Sequence, residues 1–313
     1  MAQVNDIRNT TIEHATALFL AKVKTKLKES TVSRYAFLCE RHIIPYFKNV
    51  ELNNVTNEII DGFIKHKLKS GTLQENKPLS AKMVNDIVSL LLQIIKPYCK
   101  FDDSIEKPSC KQKEISVFTE TEYDKLKAYL SIGTDSKKLG IIIAMLTGIR
   151  IGELCALMWN NIDLENEVIH INKTMQRVNV IHKGENRKTK IIIDTPKSNA
   201  SIRLIPIPSI LLNKLREFTT HDNAYILTNT KKYVEPRSYQ KYFKSCLEIC
   251  GIKDNNFHAL RHTFATMAIA KEVDIKTISV LLGHTDVAFT MKKYVHPNIE
   301  HRRKQIEKLA VGF

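Results

Sequence analysis

Residues 146–154 read LTGIRIGEL and close an apolar run that begins at Leu139 and is typical of a buried helix. Gly148 predicts the end of that helix, because glycine adopts left-handed conformations at little cost. Arg150 then falls at the start of a second helix, where its positive charge opposes the helix dipole. A bound anion would explain this arginine, since free backbone amides and a guanidinium converge at one place. On this segment alone, a surface arginine on a turn remains the simpler interpretation.

Two more motifs lie further along the chain. In HALRH, His258 and Arg261 are three residues apart and share one helical face, which suits a phosphate oxygen. In LLGH, a glycine ends a helix and His284 follows it, a place where histidine is usually a cap partner. Each motif by itself is more typical of ordinary structure than of a site.

The β-rich part of the chain and its C-terminal region supply the remaining candidates. Residues 195–198 read TPKS and are predicted to be the turn of a β-hairpin, in which Lys197 would normally be solvated. Tyr294 lies in KKYVHP and, taken alone, is a packing residue. Neither position points to chemistry without the others.

The residues before position 100 predict a small all-helical domain, with no alternating strand pattern. The predicted boundaries are a Thr10–Glu13 capping box, a second start at Ser30-Thr31 that ends at Pro45, a third helix ended by Ser70-Gly71, and a fourth capped by Ser80. Residues 101–117 lose this periodicity and contain Pro108, so they are the best candidate for a linker.

A second domain is predicted to start at a Thr119–Glu122 capping box. Its predicted strands are 168–171, 191–193 and 202–207, and helices return from about 239 and over 257–267. The fold class is therefore mainly α with a small antiparallel β-sheet (α+β). We expect a helical domain over 1–107, a linker over 108–117, and a second domain with a C-terminal tail over 118–313.

Charge and composition limit the partners. The 313 residues carry 48 basic against 33 acidic side chains, a formal charge of +15, which favours nucleic acid. The run from Leu139 to Ile149 is about half of the roughly 20 residues that span a bilayer, and the start MAQVNDIRNT lacks the apolar core of a signal peptide, so export is not expected. Six cysteines without a CxxC pair indicate a reduced, cytoplasmic protein, and no carboxylate cluster predicts a metal.

Together these motifs resemble the tyrosine recombinase family, the phage-type integrases. The resemblance is carried by TGIRIGEL, TPKS, HALRH, LLGH and KKYVHP, which occur in the family's order. The helical first domain resembles the family's SAM-like core-binding domain, and the second its catalytic domain. The resemblance implies a site-specific DNA recombinase that cuts and rejoins DNA through a 3′-phosphotyrosyl intermediate, without metal, ATP or any other cofactor.

The resemblance also assigns roles to six residues. Tyr294 would be the nucleophile, Arg150 and Arg261 the phosphate clamp, His284 a phosphate hydrogen-bond donor, His258 a second donor or a proton acceptor, and Lys197 the acid that protonates the leaving 5′-oxygen. Two arginines suit this task, since the planar guanidinium grips two oxygens and keeps its proton. Glu153 is interpreted as a support for Arg150, and His262 and His296 match no role.

The implied partners are double-stranded DNA at attachment or crossover sites and three further copies of the chain, in a synaptic homotetramer associated with the nucleoid. The tail carries Ile306, Leu309, Ala310 and Phe313 at helical spacing, and docks either on a neighbouring protomer or on its own domain. A lysine-rich segment between Val168 and Pro208 favours an integrase of a phage or another mobile element. No β-rich segment precedes Thr10, so binding to arm-type sites is in doubt.

Two alternatives remain open. A type IB topoisomerase would use the same catalytic groups to relax supercoils as a monomer. A non-catalytic DNA-binding regulator could be built on the same fold, although all six catalytic positions are filled.

Overall fold

The computed structural model describes residues 11–71, 77–99, 105–110, 115–180, 189–196, 198–218, 222–294, 303 and 306–307, without the side chains of 199, 289 and 292–294. The chain divides into two compact units. The first comprises Met1–Lys113 and Val178–Lys190, and the second Glu114–Arg177 and Ile191–Phe313.

The described part of the first unit is built from helices around one apolar core. The helices are α1 (Ile12–Lys24), α2 (Glu29–Leu38), a π-helical turn (Cys39–Ile43), α3 (Ile44–Phe47), a 3-10 turn (Leu52–Asn54), α4 (Asn57–Ser70) and α5 (Ala81–Ile95). Helix α5 is capped by Ser80, whose hydroxyl accepts from the amide of Met83, and α4 ends at Gly71 at φ 64°. Both of these boundaries were predicted.

Two predicted boundaries in this unit were wrong. Thr11 rather than Thr10 caps α1, because its hydroxyl accepts from the amide of His14, while Thr10 lies outside the described residues. Pro45 does not end the second helix, since the chain passes through the π turn and continues to Phe47. In the π turn, the amide of Ile44 donates to the carbonyl of Cys39. Pro45 lies in the first turn of α3, where a backbone N–H would have no helical partner, so the N–H that proline lacks costs little stability.

One charged side chain is enclosed in this core. Lys67 on α4 is 0% exposed, and its ammonium has no hydrogen-bond partner among the described residues. The nitrogen lies 5.3 Å from the ring centre of Phe63. Burial lowers the pKa of Lys67, and burial together with the charge of Lys67 lowers the pKa of His42. This buried charge weakens the unit that contains it.

The second unit combines helices with two small sheets. Its helices are α6 (Glu120–Ser131), α7 (Ser136–Thr147), α8 (Ile151–Ala156), α9 (Ser209–Arg216), α10 (Pro236–Ile249), α11 (His258–Ala270), α12 (Ile275–Leu282) and α13 (Val287–Tyr294), with 3-10 turns at Trp159–Asn161 and Asn199–Ser201. The strands are β1 (Ile162–Asp163), β2 (Val168–Ile171), β3 (Thr174–Asn179), β4 (Thr189–Asp194) and β5 (Arg203–Pro206). The predicted capping box at Thr119 is present with both hydrogen bonds, and helix α7 is buried along most of its length.

The strand order corrects one prediction. Strands β1, β2 and β5 form an antiparallel sheet, with Ile169 opposite Ile205, while β3 and β4 form a separate pair. The segment that contains TPKS therefore joins two sheets and is not the turn of a hairpin between β4 and β5. The prediction failed because β-branched composition marks a strand without indicating its partner. The fold class itself, mainly α with small antiparallel sheets, is confirmed.

Within the described ranges, every helix is too short or too polar to cross a lipid bilayer.

We predict that Lys67→Met stabilises the helical unit at neutral pH by about 1–3 kcal/mol, because it removes a buried, unsatisfied donor. Since the pKa of Lys67 is lowered in the folded state, the unfolded chain binds more protons, and the stability of the native protein rises as pH approaches the ordinary lysine pKa. The advantage of Lys67→Met should shrink over the same range. Urea unfolding of both proteins between pH 7 and 10 measures this, and an advantage independent of pH would contradict it.

Candidate functional site

Helix α12 ends in three successive carbonyl groups, each of which accepts a hydrogen bond from a different arginine. The pairs are Arg203 Nε to Leu281 O (2.6 Å), Arg261 Nη2 to Leu282 O (2.5 Å) and Arg150 Nη2 to Gly283 O (3.1 Å). The last carbonyls of a helix lack intrahelical partners and carry a partial negative charge, so cations are favoured there. The end of α12 therefore gathers arginines from three distant parts of the sequence.

Two glycines allow this close approach. Gly148 ends α7 and Gly283 ends α12, both in the left-handed region at φ 64°. A Cβ on Gly148 would lie 2.7 Å from a ring carbon of Phe264, and one on Gly283 would lie 3.1 Å from both the Ala200 carbonyl oxygen and Arg203 Nη1. The predicted turn at Gly148 and helix end at Gly283 are confirmed, and both serve packing as well as backbone geometry.

Glu153 joins two of the arginines. Its Oε1 accepts from Arg150 Nη1 at 2.6 Å, and its Oε2 accepts from Arg203 Nη2 at 2.9 Å and from the backbone amide of Arg150 at 3.1 Å. Burial by itself raises the pKa of Glu153, but hydrogen bonds and charge from Arg203, with those from Arg150, outweigh burial and lower it. The side chain is thus an ionised carboxylate that holds Arg150, the supporting role expected from the sequence.

The third arginine is fixed by backbone groups and by His284. Arg261 is 2% exposed, and its Nη1 donates to the carbonyl of Gly148 at 2.8 Å. Its Nη2 also lies 2.9 Å from His284 Nε2, which must accept because a guanidinium has only donors. The other ring nitrogen of His284 then carries the proton and donates to the hydroxyl of Thr290 at 2.7 Å. Thr290 is fully buried on α13, so this tautomer is set by the fold.

Of the six residues predicted for the site, the structure brings Arg150, Arg261 and His284 together at the end of α12. His258 is the exposed first residue of α11, the helix that carries Arg261, and its ring centre lies 4.8 Å from that of His262. The backbone of Tyr294 ends α13, one helical turn beyond Thr290. The side chain of Tyr294 and the whole of Lys197 lie outside the described residues.

Arg203 was missed by the sequence analysis. It lies on β5, where Arg203 and Ile205 are buried and Leu204 is exposed. A strand with period 2 places Arg203 on the inward face with Ile205, and a charged residue at an inward position is a signal that could have been noticed. Its partners could not be identified in this way, since Glu153 and Leu281 are far from it in the chain.

This arrangement suits an anion with several oxygens. Arg150 keeps 31% of its side chain exposed while two groups hold it in place, so its guanidinium can meet a ligand from solvent. Guanidinium and imidazole groups bind phosphate oxygens directionally. In the described part of the chain, no group of histidine, cysteine and acidic residues could hold a metal ion.

Comparison with known proteins shows that this chain is similar to phage integrases and tyrosine recombinases. The model of the phage integrase family matches residues 116–301, and that of the phage integrase N-terminal SAM-like domain matches residues 5–68. Among curated proteins, a tyrosine recombinase XerC-like protein of Caldanaerobacter subterraneus is 29% identical, over 92% of this chain and 79% of the relative. The ICEBs1 integrase of Bacillus subtilis is 24% identical, over 94% of this chain and 81% of the relative.

Solved structures show the same fold. The Tn1549 transposon integrase in complex with transposon right end DNA has a TM-score of 0.74 at 19% identity, over 96% of this chain and 100% of the other. A lambda integrase tetramer bound to a Holliday junction has a TM-score of 0.62 at 17% identity, over 95% of this chain and 82% of the other.

The two family models and the named relatives place this chain among the tyrosine recombinases. The chain belongs to the phage integrase family. It is an enzyme of DNA breakage and rejoining, and its activity is site-specific recombination.

Proposed function

We propose that Tyr294 is the nucleophile of strand cleavage. Its phenolic oxygen attacks a backbone phosphorus, the bond from phosphorus to the 5′-oxygen breaks, and a 3′-phosphotyrosyl ester forms. The phenol proton leaves to a base, for which His258 is the candidate, and the departing 5′-oxygen takes a proton from Lys197. The ester conserves the energy of the broken bond, so that a 5′-hydroxyl can reverse the reaction without ATP.

The cluster at the end of α12 supports this proposal. Attack at phosphorus creates a pentavalent state with more negative charge than the diester, and fixed donors that face this charge lower the barrier. Arg150 and Arg261 are held by buried groups of the protein itself, so little reorganisation is needed for them to face this charge. His284 accepts from Arg261 through Nε2 and donates to Thr290 through Nδ1, so it helps to hold Arg261 in place. To donate to a non-bridging oxygen, its Nε2 would have to take a proton and release Arg261.

We propose that Lys197 supplies the leaving-group proton. An ammonium is normally a weak acid near neutral pH, and the positive charges of Arg150 and Arg261 would lower the pKa of a lysine brought to the same phosphate. The assignment rests on the TPKS motif and on its position shortly before β5, which delivers Arg203 to the cluster.

The partner in this function is duplex DNA at attachment sites, in keeping with a formal charge of +15. We propose that the domains act as residues 1–107, a linker over 108–117, and 118–313. The reaction would take place in the cytoplasm on the nucleoid, for a phage or another mobile element such as those of the relatives named above.

A homotetramer is the proposed assembly, and a groove in the second unit offers a place for the tail of a second copy. The groove has a volume of about 840 Å³, and its lining includes Phe118, Tyr123 and Met267. Its charged lining residues have both signs, since Glu120 and Asp124 line the groove together with Lys127, Lys214 and Lys271. A mainly apolar groove suits the apolar side chains that recur at helical spacing in the tail, such as Ile306 and Leu309.

The first test is covalent capture. On a nicked suicide substrate that loses its 5′-hydroxyl fragment, the native protein should accumulate a protein–DNA adduct, and Tyr294→Phe should give none. Tyr233→Phe is the matched control, because Tyr233 is a 47% exposed tyrosine of the same unit outside the cluster. The absence of an adduct with the native protein would favour the non-catalytic regulator.

The second test concerns the general acid. Lys197→Ala should slow cleavage of an ordinary phosphodiester by about 10²–10⁴-fold, because general acid catalysis contributes this much. A 5′-phosphorothiolate substrate should restore the rate, since a thiolate leaves without a proton. Lys173→Ala, an exposed lysine between β2 and β3, should behave as native on both substrates. A Lys197→Ala defect of equal size on both would assign the acid to another residue.

The third test separates recombination in an assembly from relaxation by a monomer. Removal of residues 298–313 should leave adduct formation intact and abolish the paired-site complex, whose mass light scattering reports. Ala268→Trp, which fills the groove in an otherwise full-length chain, should have the same effect. Paired-site complexes formed by either variant would contradict the proposed docking, and persistent supercoil relaxation by the truncated monomer would favour the topoisomerase.

A further inference from the structure

Arg203 is a buried arginine whose side chain makes several hydrogen bonds. Its side chain is 3% exposed, and its three nitrogens reach three different segments of the unit. Nη1 and Nη2 donate to the two carboxylate oxygens of Glu153 at 3.2 and 2.9 Å, Nη1 also donates to Ser201 O at 3.1 Å, and Nε donates to Leu281 O at 2.6 Å. The residue therefore ties β5, α8 and the end of α12 to one another.

We propose that Arg203 is a positioning residue for strand cleavage: it fixes Glu153 and the end of α12, and through them it orients Arg150. The proposal rests on the proposed function, because it concerns the same phosphate site. Arg203 is too deeply buried to reach DNA itself, so it acts only through its neighbours.

The hydrogen bonds define the route of this action. Among the described residues, the side chain of Arg150 donates to Glu153 and to the carbonyl of Gly283. Arg203 holds the first of these groups directly, and it holds the second through Leu281, two residues earlier in the same helix end. Gly283 also packs on Arg203, since a Cβ there would come within 3.1 Å of Nη1. Both anchors of Arg150 thus depend on Arg203.

The ionisation of Glu153 also depends on Arg203. Glu153 is a buried carboxylate, and the groups that face it are Arg150 on its own helix and Arg203 on β5, while His284 at the end of α12 contacts Arg261 instead. Without Arg203, burial would oppose the charge of Glu153 and one partly exposed arginine would remain to balance it. Protonation of Glu153 would then weaken its hold on Arg150 at a higher pH than in the native enzyme.

A chain segment needed for catalysis also leads into this contact. Lys197 lies six residues before Arg203, and the 3-10 turn Asn199–Ser201 occupies the interval. Arg203 donates to the carbonyl of Ser201, whose hydroxyl lies 3.0 Å from that of Ser198. One buried side chain therefore secures the support of Arg150 and the end of the segment that carries Lys197.

The experiment compares single-turnover cleavage of the suicide substrate between pH 5 and 9 for the native enzyme, Arg203→Met, Glu153→Gln and the double variant. We expect Arg203→Met to bind site DNA with native affinity, to cleave at least about 10-fold more slowly at neutral pH, and to lose activity toward acid at a higher pH than native. The double variant lacks the titrating carboxylate. Its cleavage rate on the acidic side of the pH profile should therefore fall over the same pH range as that of Glu153→Gln alone. Its rate should match the slower single variant rather than the product of both losses.

The matched control is Tyr239→Phe, which removes the hydrogen bond from the hydroxyl of buried Tyr239 to Lys137 O at 2.7 Å, in the same unit and away from the cluster. It should lower the melting temperature and leave the pH profile unchanged. If Arg203→Met does not fold, Arg203→Lys with and without Glu153→Gln provides the same comparison. A cleavage defect of equal size at every pH, multiplicative losses in the double variant, or a loss of DNA affinity would overturn the proposal. Failure of the native enzyme to form an adduct would instead contradict the proposed function.

Discussion

The second unit, which contains the candidate site, depends on hydrogen bonds from three guanidinium groups to the last carbonyls of the short helix α12. The end of α12 offers backbone acceptors that no residue of its own helix can satisfy, and Arg150, Arg203 and Arg261 satisfy them. Three positive charges so close together would repel one another in isolation. The helix dipole and the carboxylate of Glu153 offset part of this repulsion, and the remaining positive charge suits the proposed contact with a phosphate.

The three arginines are buried to different extents, and the difference suits their roles. Arg203 and Arg261 are almost fully enclosed, while Arg150 keeps about a third of its side chain in solvent. A buried guanidinium with fixed partners loses little entropy when it acts, whereas an exposed one is available to a ligand. His284 belongs to the same cluster. Its contacts with Arg261 and Thr290 determine that Nδ1 rather than Nε2 carries the proton.

The first, helical unit differs from the second in how its buried charge is paired. Lys67 is enclosed without a hydrogen-bond partner among the described residues, next to the ring of Phe63 and close enough to lower the pKa of His42. In the second unit, the buried ions Glu153, Arg203 and Arg261 each make several hydrogen bonds, whereas the ammonium of Lys67 makes none to a described residue. Stability is therefore distributed unevenly, and the helical core is where a single substitution is expected to gain most.

Local sequence determined much of this protein: the caps at Ser80 and Thr119, the left-handed turns at Gly148 and Gly283, and the ordered motifs that identify the family. These features depend on residues within a turn or two of one another, so the sequence displays them directly. Tertiary structure alone decided that β5 pairs with β2, and that Arg203 joins Glu153 to the end of α12. Contacts between residues this far apart in the chain arise from packing of whole elements, and no local periodicity records them.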